Sequence, residues 1–139
     1  MPGMKSKKVI IDTNLWISFL ISKDFSFLDN YIETGKIELI FSEELFSEFI
    51  SVAERPKFKK FFAETDVKHL MKIIGRFGIL IRVSSETDLC RDKKDNFLLN
   101  LAIDSNADYL VTGDLDLLEL EKIKKTKIIT IQELRVKIK

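Results

Sequence analysis

The chain has 139 residues, of which 45% are hydrophobic and 32% are charged, and this composition is typical of one globular domain. It contains no apolar run long enough to span a bilayer, and too few apolar residues follow its basic start to form a signal peptide. We therefore expect a cytoplasmic protein without a membrane segment. Because the net charge is only +1, a nucleic acid would have to be bound by local basic patches.

Two residue counts limit the metal chemistry. Cys90 is the only cysteine and His69 the only histidine, so we expect neither an internal disulfide nor a zinc site built from cysteines or a histidine cluster. The sequence also lacks a linker, an internal repeat and a low-complexity stretch. We therefore predict a single domain over residues 1–139, with residues 1–7 as a flexible N-terminal tail.

Short apolar runs alternate with segments of helical periodicity along the whole chain. We predict short strands at Lys8–Ile11, Glu38–Phe41, Ile79–Val83, Tyr109–Thr112 and Lys127–Thr130. We predict helices at Leu15–Ser22, Phe25–Thr34, Glu43–Ala53, Pro56–Phe62, Asp66–Phe77, Asn96–Ser105, Leu115–Leu120 and Ile131–Ile138. This alternation predicts an α/β fold, a three-layer α/β/α sandwich with a central parallel sheet of about five short strands.

Two aspartates stand at the ends of predicted strands. Asp12 closes the first strand, and Asp114 follows the fourth. In an open parallel sheet, ligands bind outside the carboxyl ends of the strands, so both carboxylates stand where a ligand would bind. Asp is also favoured as the N-cap of a following helix, and capping therefore stays open as the role of each.

Asp95 faces the apolar side of its predicted helix. At 100° per residue it falls inside the arc formed by Leu98, Leu99, Leu101, Ala102 and Ile103. An inward-facing carboxylate requires a physical reason. The reason is either a functional site or the preference of a helix dipole for an acid in its first turn, with Asp92 as a cap.

Three glutamates, Glu43, Glu44 and Glu48, lie on the helix after Ser42, and periodicity does not choose among them. If one of them converges with the aspartates, the carboxylates repel and raise one another's pKa, and a cation relieves the repulsion. Oxygen ligands together with retained waters are what Mg²⁺ or Mn²⁺ prefers. Such an ion activates water and offsets charge on phosphate, which indicates hydrolysis of a phosphate ester.

The acidic residues resemble the motifs of the PIN domain, a metal-dependent ribonuclease fold that is common among toxins of prokaryotic toxin–antitoxin pairs. The resemblance spans nearly the whole chain. It is carried by Asp12-Thr13-Asn14, by Glu48, by Asp95-Asn96-Phe97-Leu98-Leu99, by Thr112-Gly113-Asp114-Leu115-Asp116 and, for the toxin subgroup, by Arg55-Pro56-Lys57-Phe58.

The resemblance implies roles for these residues. Its catalytic metal ligands are Asp12, Glu48, Asp95 and Asp114, with Asp116 as a further ligand to the metal. Thr13 and Thr112 are the expected hydrogen-bond donors to ligand carboxylates, and capping is their alternative role. The family therefore selects Glu48 over Glu43 and Glu44.

The implied activity is in-line hydrolysis of RNA phosphodiester bonds by a water activated by Mg²⁺ or Mn²⁺. Family members commonly form homodimers and are inhibited by a small antitoxin, so the expected partners are RNA, an antitoxin and a second copy of the chain. Arg55, Lys57, Lys93 and Lys94 flank the ligand segments and are candidates to bind the RNA backbone. Lysine runs, including the four lysines of Lys122–Lys127, are otherwise interpreted as solvated surface.

Two alternative functions remain open at this level. A phosphatase similar to the haloacid dehalogenases would also have an Asp after its first strand, but Asn14 occupies the position where that family has a second Asp. A phosphorylated intermediate on Asp12 would identify such a phosphatase. A non-catalytic domain that binds RNA or protein is the other alternative, and the presence of all four acids argues against it.

Overall fold

The computed structural model describes residues 6–22, 30–32, 34–87 and 95–138, which contain six strands of one sheet. The strands are β1 (Lys7–Ile11), β2 (Ile37–Phe41), β3 (Gly78–Leu80), β4 (Tyr109–Val111), β5 (Lys122–Ile123) and β6 (Thr126–Ile129). The helices with defined bounds are α1 (Thr13–Ser22), α2 (Glu43–Ala53), α3 (Pro56–Lys59), α4 (Glu64–Phe77), α5 (Asn96–Ser105), α6 (Leu115–Leu118) and α7 (Ile131–Ile138). Residues 30–32 are also helical, but 25–29 and 33 of the predicted helix Phe25–Thr34 lie outside the described residues.

The strand order is β3-β2-β1-β4-β6-β5, and every neighbouring pair is parallel except β5 with β6. The predicted three-layer α/β/α sandwich with a mostly parallel sheet is confirmed. The antiparallel strand β5 was not predicted, because its two residues, Lys122 and Ile123, are too few to give a periodic apolar signal. Within the same described residues, no helix has the length and apolar character needed to cross a membrane.

The central strand β1 is buried by helices on both faces of the sheet. Val9, Ile10 and Ile11 are at most 1% exposed, as expected for a parallel strand between two helical layers. Lys7, which we assigned to the N-terminal tail, is instead the first residue of this strand, because its N–H donates to the Lys36 carbonyl at 2.9 Å and its partner in β2 is Ile37.

Trp16 anchors the start of α1 in the core. Its side chain is 0% exposed, and its ring centroid lies 5.6 Å from that of Phe41 and 6.4 Å from that of Phe49. Trp16 is therefore a residue of the hydrophobic core. The aromatic contacts hold α1 against β2 and α2, and thereby position the residues that join β1 to α1.

The strand order reverses between β1 and β4. From β1 the chain proceeds outward to β2 and β3, whereas from β4 it proceeds in the other direction to β6. In doubly wound sheets, the crevice outside the carboxyl ends of two such strands is the usual ligand site. Asp12 follows β1 and Asp114 follows β4 by three residues, so this crevice receives both aspartates.

Residues 84–87 are attached to α5 through two polar side chains. The Asp104 carboxylate accepts hydrogen bonds from the Ser85 hydroxyl, from the Ser84 N–H and, at 2.9 Å, from the Ser85 N–H. Asn100 Oδ1 accepts from the Thr87 N–H at 2.8 Å. The Ser85 hydroxyl is the largest of the effects that hold the pKa of Asp104 below its ordinary value of 3.8.

We expect Asp104→Asn to lower the midpoint of thermal unfolding by about 2 °C at neutral pH, because an amide cannot accept all three bonds. Since folding lowers the pKa of Asp104, its contribution to stability is present above the ordinary value of 3.8 and is lost as the pH falls through the lowered one. Thermal unfolding of both proteins at several pH values checks this. An equal difference between them at pH of about 3 and about 7 would contradict the assigned role.

Candidate functional site

Asp12 is buried at the junction of β1, β4 and α1. It is 6% exposed, and its N–H donates to the Val111 carbonyl at 3.0 Å, which holds the end of β1 against β4. Its Oδ1 accepts from the Asn14 N–H at 2.7 Å, and its Oδ2 accepts from the Thr112 hydroxyl at 2.6 Å. The carboxylate therefore caps α1 with one oxygen and faces β4 with the other.

The environment of Asp12 disfavours its charge. Burial raises the pKa of Asp12 most, the hydrogen bonds from Thr112 and Asn14 lower it, and the nearby charge of Asp114 raises it again, so that the net shift is upward from 3.8. The half-buried Asp114 carboxylate is thus near enough to the buried Asp12 carboxylate to disfavour its charge. A cation placed between them would offset both the desolvation and the repulsion.

Thr112 links the two aspartates. While its hydroxyl donates to Asp12, the same oxygen accepts from the Asp114 N–H at 3.0 Å. Asp114 is half-buried, and its Oδ1 accepts from the Asp116 N–H at 2.8 Å as the N-cap of α6. Thr112, itself 1% exposed, therefore holds the Asp12 carboxylate and the Asp114 backbone in place relative to the end of β4.

Glu48 joins the same group through α1. Its Oε2 accepts from the Thr13 hydroxyl at 2.6 Å, and Thr13 is adjacent to Asp12 in the sequence. Helices α1 and α2 pack against each other, which brings the middle of α2 to the first turn of α1. Glu48 is half-buried, whereas Glu43 and Glu44 are exposed. Of the three glutamates, Glu48 is thus the one in contact with the crevice.

Asp95 stands immediately before α5, and its side chain makes no capping hydrogen bond to that helix. Its Oδ2 is buried, and the residue as a whole is half-buried. Helix capping therefore does not explain the inward carboxylate, while Asp92, the alternative cap, lies outside the described residues. Helix α5 packs against α2, the helix that carries Glu48.

Asn96 is a buried polar residue beside Asp95 that we did not single out from the sequence. It is 8% exposed, although it is the first residue of α5. Helical phase could have predicted its burial, because Asn96 lies three residues before Leu99 and seven before Ile103 and therefore falls on the apolar arc.

The predicted RNA-binding residues are only partly described. Arg55 and Lys57 are exposed at the start of α3, and the Lys57 Nζ lies 5.0 Å from the centroid of the Phe58 ring. Lys93 and Lys94 lie outside the described residues. The structure thus leaves Arg55 and Lys57 accessible to a polyanion.

Among the residues that the structure describes, no three or more His, Cys, Asp or Glu side chains are grouped closely enough to hold a metal ion together. Asp12 instead interacts with Asp114, and Glu48 reaches the crevice through Thr13. This arrangement fits Mg²⁺ or Mn²⁺ in donor chemistry, since Mg²⁺ is usually bound by one or two carboxylates together with waters and substrate phosphates. Asp12 and Asp114 would hold the ion, and Glu48, Asp95 and Asp116 would act on it through bound waters.

Known proteins resemble this chain in sequence and in fold. The PIN domain family profile matches residues 8–116, which include all five predicted metal ligands. The chain is 30% identical over 142 aligned residues to the uncharacterized protein MJ1680 of Methanocaldococcus jannaschii, and the alignment covers 94% of this chain and 84% of that protein.

Two solved structures have the same fold at low sequence identity. The PIN domain endonuclease Utp24 is 17% identical with a TM-score of 0.54, over 89% of this chain and 84% of the other. PAE2754 from Pyrobaculum aerophilum is 17% identical with a TM-score of 0.55, over 99% of this chain and 98% of the other. With the family match across β1 to α6, these likenesses agree with the resemblance seen in the acidic motifs: the chain belongs to the PIN domain family.

Proposed function

We propose that this protein is a Mg²⁺- or Mn²⁺-dependent ribonuclease that hydrolyses RNA phosphodiester bonds. One observation supports this most: buried Asp12 interacts with Asp114 at the crevice between β1 and β4, and one hydroxyl, that of Thr112, contacts both residues. PIN domains are usually nucleases, and one protein of similar fold is a PIN domain endonuclease.

The chain's own residues would perform three tasks in this reaction. Asp12 and Asp114 present carboxylate oxygens to the ion, and Thr112 keeps both in place by donating to one and accepting from the backbone of the other. Thr13 orients Glu48 toward the same crevice. A bound divalent ion supplies an acidified water and offsets charge on the phosphate oxygens. No protein nucleophile is needed.

The position two residues after Asp12 does not favour the phosphatase alternative. A phosphatase similar to the haloacid dehalogenases would have a second Asp there, whereas this chain has Asn14. Asn14 is exposed and uses its backbone N–H to cap α1. We therefore expect no phosphorylated intermediate on Asp12, and detection of one after reaction with a labelled phosphate ester would contradict the proposal.

We further propose that the protein is the toxin of a toxin–antitoxin pair, a homodimer that a small antitoxin inhibits. The acidic motifs and the run Arg55–Phe58, which resembles the toxin subgroup, support this role. Induced expression in a bacterial host should arrest growth, and co-expression of the neighbouring gene should restore it. Normal growth at high levels of folded protein would contradict the toxin role.

Cleavage of a labelled single-stranded RNA with Mg²⁺ or Mn²⁺ tests the nuclease itself. We expect Glu48→Gln and Asp95→Asn to lower the cleavage rate by about 100-fold or more, because each removes a charge from the donor set. Glu44→Gln is the matched control, since it makes the same chemical change at an exposed position of the same helix. Equal rates for Glu48→Gln and Glu44→Gln, or no cleavage by the wild type, would contradict the proposed activity.

A further inference from the structure

Lysines are concentrated on the β5–β6 hairpin at one edge of the sheet. Lys122 of β5 is directly opposite Lys127 of β6, and Lys124 and Lys125 form the turn between them. All four are exposed, as is Lys137 of α7. This part of the surface therefore has a dense positive charge in a chain whose net charge is only +1.

The placement of these lysines lowers the stability of the hairpin, and the fold itself does not require it. Like charges directly opposite each other in an antiparallel pair destabilise a sheet. The positive φ of 52° at Lys124, by contrast, is the geometry that a two-residue hairpin turn commonly requires at its first central position. The like-charge pair is therefore the unfavourable feature of this hairpin that calls for a functional explanation.

An aromatic ring adjoins the lysine pair. Tyr109 of β4 is the partner of Lys127 on the side opposite Lys122, so Tyr109, Lys127 and Lys122 lie side by side across three strands. The Lys137 Nζ lies 6.0 Å from the centroid of the Tyr109 ring. One ammonium group thus lies over a half-buried ring, and two further lysines follow on the neighbouring strands, a combination suited to phosphates and bases of a single strand.

A cleft of about 530 Å³ opens along this surface. Lys122, Lys127 and Lys137 line it, together with the acids Glu121 and Glu133. Glu133 is occupied as a cap, because its Oε1 accepts from both the N–H and the hydroxyl of Thr130 at 3.1 Å. The hairpin and the cleft together therefore contain five lysines and two glutamates. One of the glutamates, Glu133, is engaged in the cap.

Helix α6 and the end of β6 connect the acidic crevice to residues that line the cleft. Asp114 caps α6, and Leu118, the last residue of that four-residue helix, lines the cleft. At 1.5 Å per residue, this separation is about 6 Å along the helix axis. The Ile129 carbonyl, which accepts from the Thr112 N–H at 3.0 Å, belongs to another residue that lines the cleft. One strand of nucleic acid can therefore lie across α6 and reach both places.

We infer that the cleft beside the β5–β6 hairpin binds the phosphate backbone of single-stranded RNA and guides it to the acidic crevice. The inference rests on the proposed function for the identity of the strand. The Tyr109 ring beside the lysines favours a single strand, whose bases can stack, and the lysines would contact phosphates without reading bases. Lys122 and Lys127 are positioning residues in this account.

Binding measured without cleavage tests the inference. Fluorescence anisotropy of a labelled single-stranded RNA, recorded in EDTA over a series of salt concentrations, compares wild type with Lys122→Thr/Lys127→Thr. Threonine keeps the preference for a strand. We expect affinity at low salt to fall about 10-fold, and the slope of log affinity against log salt to fall by about 1.4, because a single strand contributes roughly 0.7 per phosphate contact. The control Lys36→Ala/Lys72→Ala removes the same charge elsewhere and should bind like wild type.

The outcomes separate this inference from the proposed function. Removing the like-charge pair should leave the thermal unfolding midpoint of Lys122→Thr/Lys127→Thr unchanged or higher, so weaker binding cannot be attributed to unfolding. Equal affinities of the two double variants, or no RNA binding by the wild type, would overturn the inference. Lysine-dependent binding by a protein that never cuts RNA would instead support the inference and overturn the proposed nuclease activity.

Discussion

Asp12→Asn is expected to lower RNA cleavage by about 1000-fold and yet to leave the metal-free protein more stable than the wild type. Burial and the charge of Asp114 raise the pKa of Asp12, so folding at neutral pH holds a carboxylate in a place that disfavours its charge. The amide keeps the cap to the Asn14 N–H without that charge. The gain in unfolding free energy should be about 0.5–2 kcal/mol.

The sign of the pH dependence follows from the raised pKa of Asp12. Its contribution to stability is fully present below the unfolded value of 3.8, where the group is neutral in both states, and is lost as the pH rises through the raised value. The advantage of Asp12→Asn over wild type should therefore be largest at neutral pH and disappear in acid. Chemical denaturation in EDTA at several pH values measures it.

Asp66→Asn is the matched control, because Asp66 also caps a helix, accepting from the Ala63 N–H at 2.9 Å. That variant should lose stability and cut RNA at the wild-type rate. If Asp12→Asn behaves in the same way, Asp12 acts only as a cap, and the metal-site account of this residue is wrong.

Thr112→Val is expected to lower cleavage by about 10-fold to 100-fold, although Thr112 itself would not touch the ion. Valine has nearly the same shape but cannot donate to Asp12 Oδ2 or accept from the Asp114 N–H. The buried Asp12 carboxylate and the partly buried Asp114 N–H would each lose a partner, which costs about 1–3 kcal/mol of stability for the buried group and less for the other, and the two aspartates would no longer be held in place.

Thr112→Ser keeps the hydroxyl and should retain most of the activity. Thr126→Val controls for the loss of a buried hydroxyl as such, because Thr126 is 0% exposed and donates to the Ala107 carbonyl at 2.7 Å rather than to a carboxylate. It should lose stability without losing cleavage at a temperature where it is folded. Equal loss of cleavage in Thr112→Val and Thr126→Val would contradict a positioning role for Thr112.

Local sequence patterns predict much of this fold, and pairing between strands determines what they miss. The bounds of α2, α5 and α7 agree with the helical periodicity. The third strand was predicted to continue to Val83, yet β3 ends at Leu80 because its partner in β2 is Phe41, the last residue of that strand. The apolar pattern of one strand contains no information about the length of its neighbour.

The candidate site, like the fold, could be predicted only in part from local sequence patterns. Helical phase placed Asp95 on the inner face of α5, and the structure places its Oδ2 in the interior without a role in capping. Phase could not separate Glu48 from Glu43 and Glu44, because that choice depends on where α1 packs against α2. The Thr13 hydroxyl that receives Glu48 belongs to another segment of the chain, 35 residues away.

Lys122 and Lys127 were interpreted as solvated surface, because runs of lysine usually are. Their meaning depends on the register of the hairpin, which places the two charges opposite each other and beside Tyr109. Lys122 lies opposite Lys127 only because the unpredicted strand β5 pairs with β6.

The most direct measurement of the central claim is Mn²⁺ binding without RNA, followed by the paramagnetic resonance signal of the free ion. We predict that the wild type removes Mn²⁺ from solution saturably and that Asp12→Asn/Asp114→Asn does not, since these two carboxylates are the pair that interact across the crevice. The exposed pair Glu43→Gln/Glu44→Gln should bind like wild type. Undiminished binding by Asp12→Asn/Asp114→Asn, or no binding by the wild type, would contradict a metal centre at this crevice.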